Sequence, residues 1–393
     1  IYSGHVVLVF DECHRSQFGD MHTDITRAFR NYHLFGFTGT PIFAENASSS
    51  GKANLRTTQQ AFGDQLHSYT IVDAIRDNTV LPFRVDYLNS FRVRDGVDNH
   101  DVEGIDTDSA YMNPQRISAV VSYILEHFDQ KTMRHASFQY KKRRVNGFNS
   151  LFATSSIKAA RAYYQEFKRQ QADLPEARRL SVGIIYSYAP NAEAPGTGLL
   201  SEESMDPSAL SQDDRAFLDE AIADYNQQFG TNYGTDASGF ESYYESLSQA
   251  LTDRRIDLVI VVDMFLTGFD SKSLNTLWVD KNLRAHGLIQ AFSRTNRILN
   301  SVKTYGNIVC FRNLEDATND AIALFGNKEA RGQVLLRPYG EYLSTYLSTI
   351  EQLRLGFPLP IGSIASEEEQ KRFIDLMGQV LRLRNILTSF DDF

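Results

Sequence analysis

Val6-Val7-Leu8-Val9-Phe10-Asp11-Glu12-Cys13-His14 is an unbroken apolar run that stops at two adjacent carboxylates. Five apolar residues in a row, three of them Val, fit a strand buried on both faces of a parallel sheet. Carboxylates at the carboxyl end of such a strand stand where open α/β sheets bind ligands. An adjacent Asp and Glu suit a nucleotide there. One carboxylate holds Mg²⁺ through water, and the other orients or deprotonates an attacking water. On this stretch alone, a strand that merely ends in a polar turn stays open.

Downstream of this run, helical and strand patterns alternate. An amphipathic helix over 22–32 leads to the short strand Leu34-Phe35-Gly36-Phe37 and then to Thr38-Gly39-Thr40-Pro41. After a polar loop at 46–52 come a helix over 69–77 and a strand over 81–88, which closes one α/β unit. Residues 94–112 are acidic and patternless, as a linker is. A helix over 113–130 follows. The strand Leu151-Phe152-Ala153, a helix from Ile157 capped by Ser155 or Ser156, and the strands at 182–186, 258–262, 277–279 and 308–310 form a second unit. Turn residues and an acidic helical stretch mark an insertion at about 190–239. Beyond 315 only helical signals remain, including a capping box at Ser366-Glu367-Glu368-Glu369.

The chain has 393 residues, 42% hydrophobic and 23% charged, with net charge −9. That describes two or three globular domains. It argues against a surface coated with basic residues for nucleic acid, but not against a local basic cleft. The run Tyr140-Lys141-Lys142-Arg143-Arg144 is either a phosphate contact or a solvated loop. Cys13 and Cys310 have no metal-ligand spacing, which fits a reducing cytoplasm rather than a disulfide or zinc scaffold. No stretch is long and apolar enough for a membrane span. Position 1 is Ile, directly before a core strand, which reads as a truncated start.

Four further stretches sit where strands end. Thr38 and Thr40 follow the second strand. Thr154-Ser155-Ser156 lies between a strand and a helix, where backbone N–H groups and hydroxyls make a phosphate site or an ordinary cap. Thr267-Gly268-Phe269-Asp270 follows the most apolar strand, with Gly268 permitting close backbone approach. Gln290-Ala291-Phe292-Ser293-Arg294-Thr295-Asn296-Arg297 is the sharpest. As one continuous helix it puts Gln290, Arg294 and Arg297 on a shared face, able to meet a triphosphate.

In order, these stretches resemble the conserved motifs of superfamily 2 helicases and translocases. Asp11-Glu12-Cys13-His14 resembles motif II, Thr38-Gly39-Thr40 motif III, and 151–156 motif IV. Thr267 to Asp270 resembles motif V, and Gln290 to Arg297 motif VI, with Ser293 where many helicases carry Gly. The phrases from Phe10 to Gln17, Gly36 to Pro41, Phe152 to Ile157 and Leu266 to Asp270 look more closely like the motor (R) subunit of type I restriction-modification enzymes.

The resemblance implies two RecA-like parallel-sheet helicase domains, the first truncated at its N-terminus, followed by an α-helical region. The divisions are 1–93, a linker at 94–112, 113–315, and an incomplete helical region at 316–393. It implies a cytoplasmic, ATP-hydrolysing translocase on double-stranded DNA, partnered by methylation and specificity subunits. Its complete form is a type I site-specific deoxyribonuclease. Asp11 would hold Mg²⁺, Glu12 would position the attacking water, and Arg294 and Arg297 would reach the γ-phosphate of ATP. Thr38, Thr40, Gly268, Asp270 and Gln290 would line the nucleotide site, and Thr154, Ser155, Ser156 and Thr267 the DNA track. The sequence contains no Gly-x-x-x-x-Gly-Lys-Ser/Thr loop, which the family carries upstream of motif II. The 393-residue chain alone is therefore expected to bind ATP weakly and neither to hydrolyse it nor to cut DNA. Glu369-Gln370-Lys371 matches a nuclease Glu-x-Lys but lies on an amphipathic helix and reads as surface charge. The alternatives are a superfamily 2 helicase or remodelling translocase outside restriction, and a non-enzymatic assembly module.

Overall fold

The computed structural model describes residues 4–14, 20–47, 56–88, 110–186, 210–326, 331–362, 364, 366–390 and 392–393. Arg15-Ser16-Gln17, most of the loop at 46–52, the linker up to 109 and the insertion from 190 to 209 lie outside them.

The first unit is small. Strand β1 (His5–Phe10) runs parallel to β2 (Asn31–Gly36) through helix α1 (Asp20–Ala28), with His5 opposite Asn31 and Phe10 opposite Gly36. Because Asn31 is paired, the chain must already be extended there, so α1 stops short of the expected Tyr32. Helices α2 (Thr58–Phe62) and α3 (Ile71–Arg76) follow, each opened by a capping box, at Thr57 and Thr70. Gly36 is needed where it stands: a Cβ there would meet Cys13 Sγ and the Phe62 ring at 2.8 Å.

The expectation that β1 is buried on both faces is not met. Its burial alternates, and Val7 and Val9 are 54% and 62% exposed. Among the described residues β1 has one neighbouring strand, and α2 packs on the side of Phe10 and Gly36.

The main body is a six-stranded, wholly parallel sheet in the order β3 (Phe83–Tyr87), β10 (Gly306–Cys310), β9 (Leu274–Asp280), β6 (Asn149–Thr154), β8 (Leu258–Val261), β7 (Val182–Ile185). This is the expected parallel α/β architecture. Around it lie α4 (Pro114–Lys131), α5 (Ile157–Gln171), α6 (Gln212–Phe229), α7 (Ala237–Thr252), α8 (Ala285–Phe292) and α9 (Glu315–Phe325). Strands β6, β8, β9 and β10 are buried along their whole length, as coverage on both faces requires. Their Trp278, Phe152 and Leu277 are fully buried, and each such side chain stabilises by roughly 1.5–3 kcal/mol over exposure.

Strand β3 corrects the sequence reading. It was expected to close the first unit but forms the edge of the large sheet, pairing Phe83 with Gly306 and Tyr87 with Cys310. The basic run at 140–144 is the turn of a hairpin, β4 (Ser137–Tyr140) with β5 (Arg143–Asn146). Its Lys141 is tied to Asp253 at 2.6 Å and Arg144 to Ser137 at 2.7 Å.

After the short α10 (Arg331–Val334), α11 (Tyr339–Gly356) and α12 (Glu367–Leu387) pack on each other, with Phe357 against Phe373. Ser366 precedes α12 but makes no side-chain cap bond, so the expected capping box does not form. Lys371 pairs with Glu367 on the solvent side. No helix among the described residues is long and apolar enough to cross a membrane.

Candidate nucleotide site between the two units

Asp11 and Glu12 stand exposed at the carboxyl end of β1. Asp11 Oδ1 accepts the Glu12 N–H at 2.9 Å. Glu12 has φ +46°, a left-handed conformation that costs a residue with a Cβ roughly 1–2 kcal/mol. Backbone bonds from Phe37 N–H to the Phe10 carbonyl, and from Cys13 N–H to the Phe37 carbonyl, hold the two strand ends together. The turn then buries His14 completely.

His14 is the hub of the site. Its Nδ1 lies 2.7 Å from Thr38 Oγ1 and 3.4 Å from Glu12. Its Nε2 lies 3.0 Å from Gln290 Nε2, which also donates to Thr40 Oγ1 at 3.1 Å. An amide nitrogen donates, so His14 Nε2 accepts and its proton sits on Nδ1, directed at Thr38. Thr38 Oγ1 also accepts the Thr40 N–H at 3.0 Å. Motif II, motif III and Gln290 are thus joined around one buried ring.

Gln290 lies on α8, which ends sooner than the sequence reading requires. The continuous helix expected through Arg297 stops at Phe292. Beyond it, Arg294 N–H bonds the Ala291 carbonyl and Thr295 N–H the Phe292 carbonyl. These tighter turns release the chain, and the Asn296 carbonyl accepts from Leu81 just before β3. Helical spacing therefore does not align Gln290, Arg294 and Arg297, although Arg294 Nε still donates to the Gln290 carbonyl at 3.1 Å.

Both arginines engage the loop after β8. Arg294 donates to the Phe269 carbonyl, and Arg297 Nε lies 3.1 Å from Asp270. Gly268 has φ +72° and open space at its Cβ position. Behind this pair Lys303 is buried, with Nζ donating to the carbonyls of Lys272 at 3.1 Å and Leu274 at 2.6 Å. Burial pushes its pKa well below the ordinary lysine value, and the charge of Arg297 acts in the same direction.

The carboxyl edge of the large sheet is crowded with buried polar groups. Thr154 is fully buried and its hydroxyl donates to the Val261 carbonyl at 3.1 Å. Thr267 is also buried. Both residues assigned to the DNA track are thus buried at the sheet edge. Ser155 is half-buried, and Ser156 caps α5 by accepting the Ala159 N–H at 3.1 Å. Asp263 and Lys281 form a buried pair at 2.8 Å. Asp280 accepts from Arg116 at 2.5 Å, Tyr163 at 2.6 Å and Arg312 at 3.1 Å. Burial works to raise the Asp280 pKa, but the Arg116 hydrogen bond and the charges of Arg312 and Arg116 outweigh it and hold it below the usual carboxylate range. Burial lifts the Cys13 thiol to about 11, and the buried Cys310 thiol is raised as well; neither is a ready nucleophile.

Two exposed carboxylates on adjacent residues fit a hard divalent cation that keeps several waters and shares phosphate oxygens, as Mg²⁺ does. Bidentate guanidinium groups fit phosphates. The carboxylate turn and the arginine-bearing segment are linked through His14 and Gln290.

Sequence reasoning assigned no role to His14, although it stands inside the quoted motif, nor to Asn46 or His286. His286 is fully buried, with Nε2 3.1 Å from the Pro41 carbonyl and 3.2 Å from Asn46 Nδ2.

Residues 146–313 match a family model described as type I restriction enzyme subunit R domain 3. Residues 334–393 match the C-terminal model of the type I restriction and modification enzyme subunit R, and residues 2–115 match a SWI2/SNF2 ATPase model. The chain carries subunit R domains of the type I restriction enzymes. It is 39% identical over 394 aligned residues to a type I restriction enzyme endonuclease subunit of Staphylococcus aureus (strain COL), covering 99% of this chain and 39% of that protein. It is 40% identical over the same span to such a subunit of Staphylococcus saprophyticus, covering 40% of it. The chain thus spans about two fifths of the length of these curated relatives. Among solved structures it resembles the fragment of a putative HsdR subunit from Vibrio vulnificus YJ016. That likeness has 13% identity and a TM-score of 0.49, and covers 82% of this chain and 46% of that one.

Proposed function

We propose that this part of an R subunit is an ATP-driven motor on double-stranded DNA. Residues 1–93 and 113–315 are its two nucleotide-facing units, except that β3 belongs to the sheet of the second; 94–112 is the link and 316–393 an accessory helical region. The observation that carries the reading is the junction at His14, where Gln290 of α8 meets both the carboxylate turn and Thr40. A change of contact at the Asp11-Glu12 turn is felt directly by the arginine-bearing segment. The match of residues 2–115 to a SWI2/SNF2 ATPase model supports nucleotide use.

In this reading Asp11 is the residue that would hold Mg²⁺, which when bound neutralises charge on the phosphates. Glu12 orients the attacking water and accepts its proton. Arg294 and Arg297 exchange the Phe269 carbonyl and Asp270 for phosphate oxygens and stabilise the charge that develops there. Thr38 and Thr40 pass the state of the site to the rest of the first unit through His14. Along the carboxyl edge we assign the DNA track to Ser155 and Ser156, with Thr154 joining the ends of β6 and β8 through its bond to the Val261 carbonyl. Duplex DNA and the methylation and specificity subunits are partners by family membership.

The test is Glu12→Gln in the intact subunit. Turnover of ATP in the presence of duplex DNA should fall at least about 100-fold, with DNA binding by fluorescence anisotropy unchanged. Turnover at the wild-type rate would show that Glu12 neither orients nor deprotonates the attacking water.

A further inference from the structure

We propose that His286 is a positioning residue for this site, locking the loop after Thr40 against α8 so that Gln290 and the arginines beyond it are held in register. The inference rests on the motor reading and adds a second clasp to the one at His14. His286 and Gln290 are four residues apart on α8 and so lie one above the other on the same face. Gln290 reaches His14 and Thr40. One turn earlier, His286 Nε2 stands 3.1 Å from the Pro41 carbonyl and 3.2 Å from Asn46 Nδ2; carrying the ring proton it donates to Pro41, and without it accepts from Asn46, so either tautomer ties α8 to this loop. Asn46 is itself fixed, its Oδ1 accepting the Phe43 N–H at 2.7 Å.

A single contact between two units is a pivot. Two contacts one helical turn apart, about 5 Å along the axis, fix rotation as well as distance. The imidazole is further confined by its neighbours. Its plane stacks on His14 at 5.7 Å between centroids, and Phe325 meets it edge-on at 5.1 Å. Phe325 also contacts Phe43 from the same loop, at 6.3 Å. Ala285, directly before it, has φ +40°, a strained start that persists only where surrounding contacts over-determine it. A hydrophobic side chain would fill this space without the cost of burying a polar ring, but it would not hold the Pro41 carbonyl.

The experiment compares wild type, His286→Ala and His286→Asn in the intact subunit, by two readouts. Amide hydrogen exchange without nucleotide reads the clasp directly. His286→Ala should lose protection across 41–46 and 285–292, while the sheet strands keep theirs. ATP turnover with duplex DNA reads its consequence. His286→Ala should lower kcat by about 10- to 100-fold, the scale of a misplacement near 1 Å, with KM for ATP changed less than about 3-fold, because the loss falls on transition-state contacts. His286→Asn, whose amide still donates to Pro41, should recover most of the rate. Unchanged exchange in His286→Ala overturns the proposal whatever the turnover. Loss of protection across the sheet strands as well overturns it too, since that reports unfolding rather than release of a clasp. Absence of DNA-dependent turnover in the wild type counts against the motor reading instead, and leaves the exchange result to decide the clasp.

Discussion

Asp280 gathers an unusual amount of charge into a dry space, with Arg116, Arg312 and Tyr163 all bonded to one carboxylate. Replacing it strands two buried guanidinium groups. Asp280→Asn should therefore destabilise the chain by about 3–5 kcal/mol, read from urea unfolding at pH 7. The sign of the pH dependence follows from its depressed pKa. The stability it contributes is complete above the unfolded aspartate value, about 3.9, and is lost as pH falls below that through the folded value. The gap between wild type and Asp280→Asn should accordingly shrink as pH is lowered below about 4. A gap that stays constant between pH 7 and pH 3 would show that the carboxylate's charge is not what matters. The pair at 263 and 281, also buried along this edge, was equally invisible in the sequence. Nothing in spacing tells a buried aspartate from a solvated one at a strand end.

Among the elements, two short segments do most to shape the site. The N-terminus of α5 depends on Ser156. Ser156→Ala should cost about 1 kcal/mol, measurable by thermal denaturation, and no loss would mean that the cap is dispensable. The loop after β8 depends on Gly268, whose φ of +72° penalises any Cβ. Gly268→Ala should cost about 1–2 kcal/mol and lower ATP turnover, because the same loop holds both arginines; full activity with unchanged stability would free Gly268 of that role. Helices and strands of the large sheet are legible because apolar periodicity is strong there. The acidic helical stretch expected within the insertion is α6 (Gln212–Phe229), and the strand at 258–262 meets β8. The end of α8 is less legible. Gln290 to Arg297 carries no Gly or Pro to stop a helix, and the break comes from tertiary bonds to Leu81 and within the turn at Thr295. His286 goes unread for a related reason: a lone histidine on an apolar helix face is more often core than clasp.

For the whole molecule, the sequence order of the units is clear and their interlocking is not. Strand β3 follows the first unit in sequence but is built into the second sheet beside β10. Parallel pairing joins residues far apart, so local pattern cannot show which sheet a strand will enter. The same edge receives the C-terminus. Arg84 of β3 lies over the Phe390 ring at 4.5 Å, and buried Lys131 bonds both Asp86 at 3.0 Å and the Ser389 carbonyl at 3.4 Å. The segment after α12 is thus fastened to β3 and α4 at the edge of the large sheet. On the motor reading, the carboxylates of the first unit and the arginines of the second act on one nucleotide. Steady-state ATP turnover of the intact subunit with and without duplex DNA, in wild type and Arg297→Ala, decides whether they do. DNA-dependent turnover is expected in the wild type, with a fall of at least about 1,000-fold in the variant. DNA affinity should stay within about 3-fold of wild type, since Arg297 is assigned to phosphate and not to the DNA track. Arg297→Ala turning over at the wild-type rate would contradict a shared site.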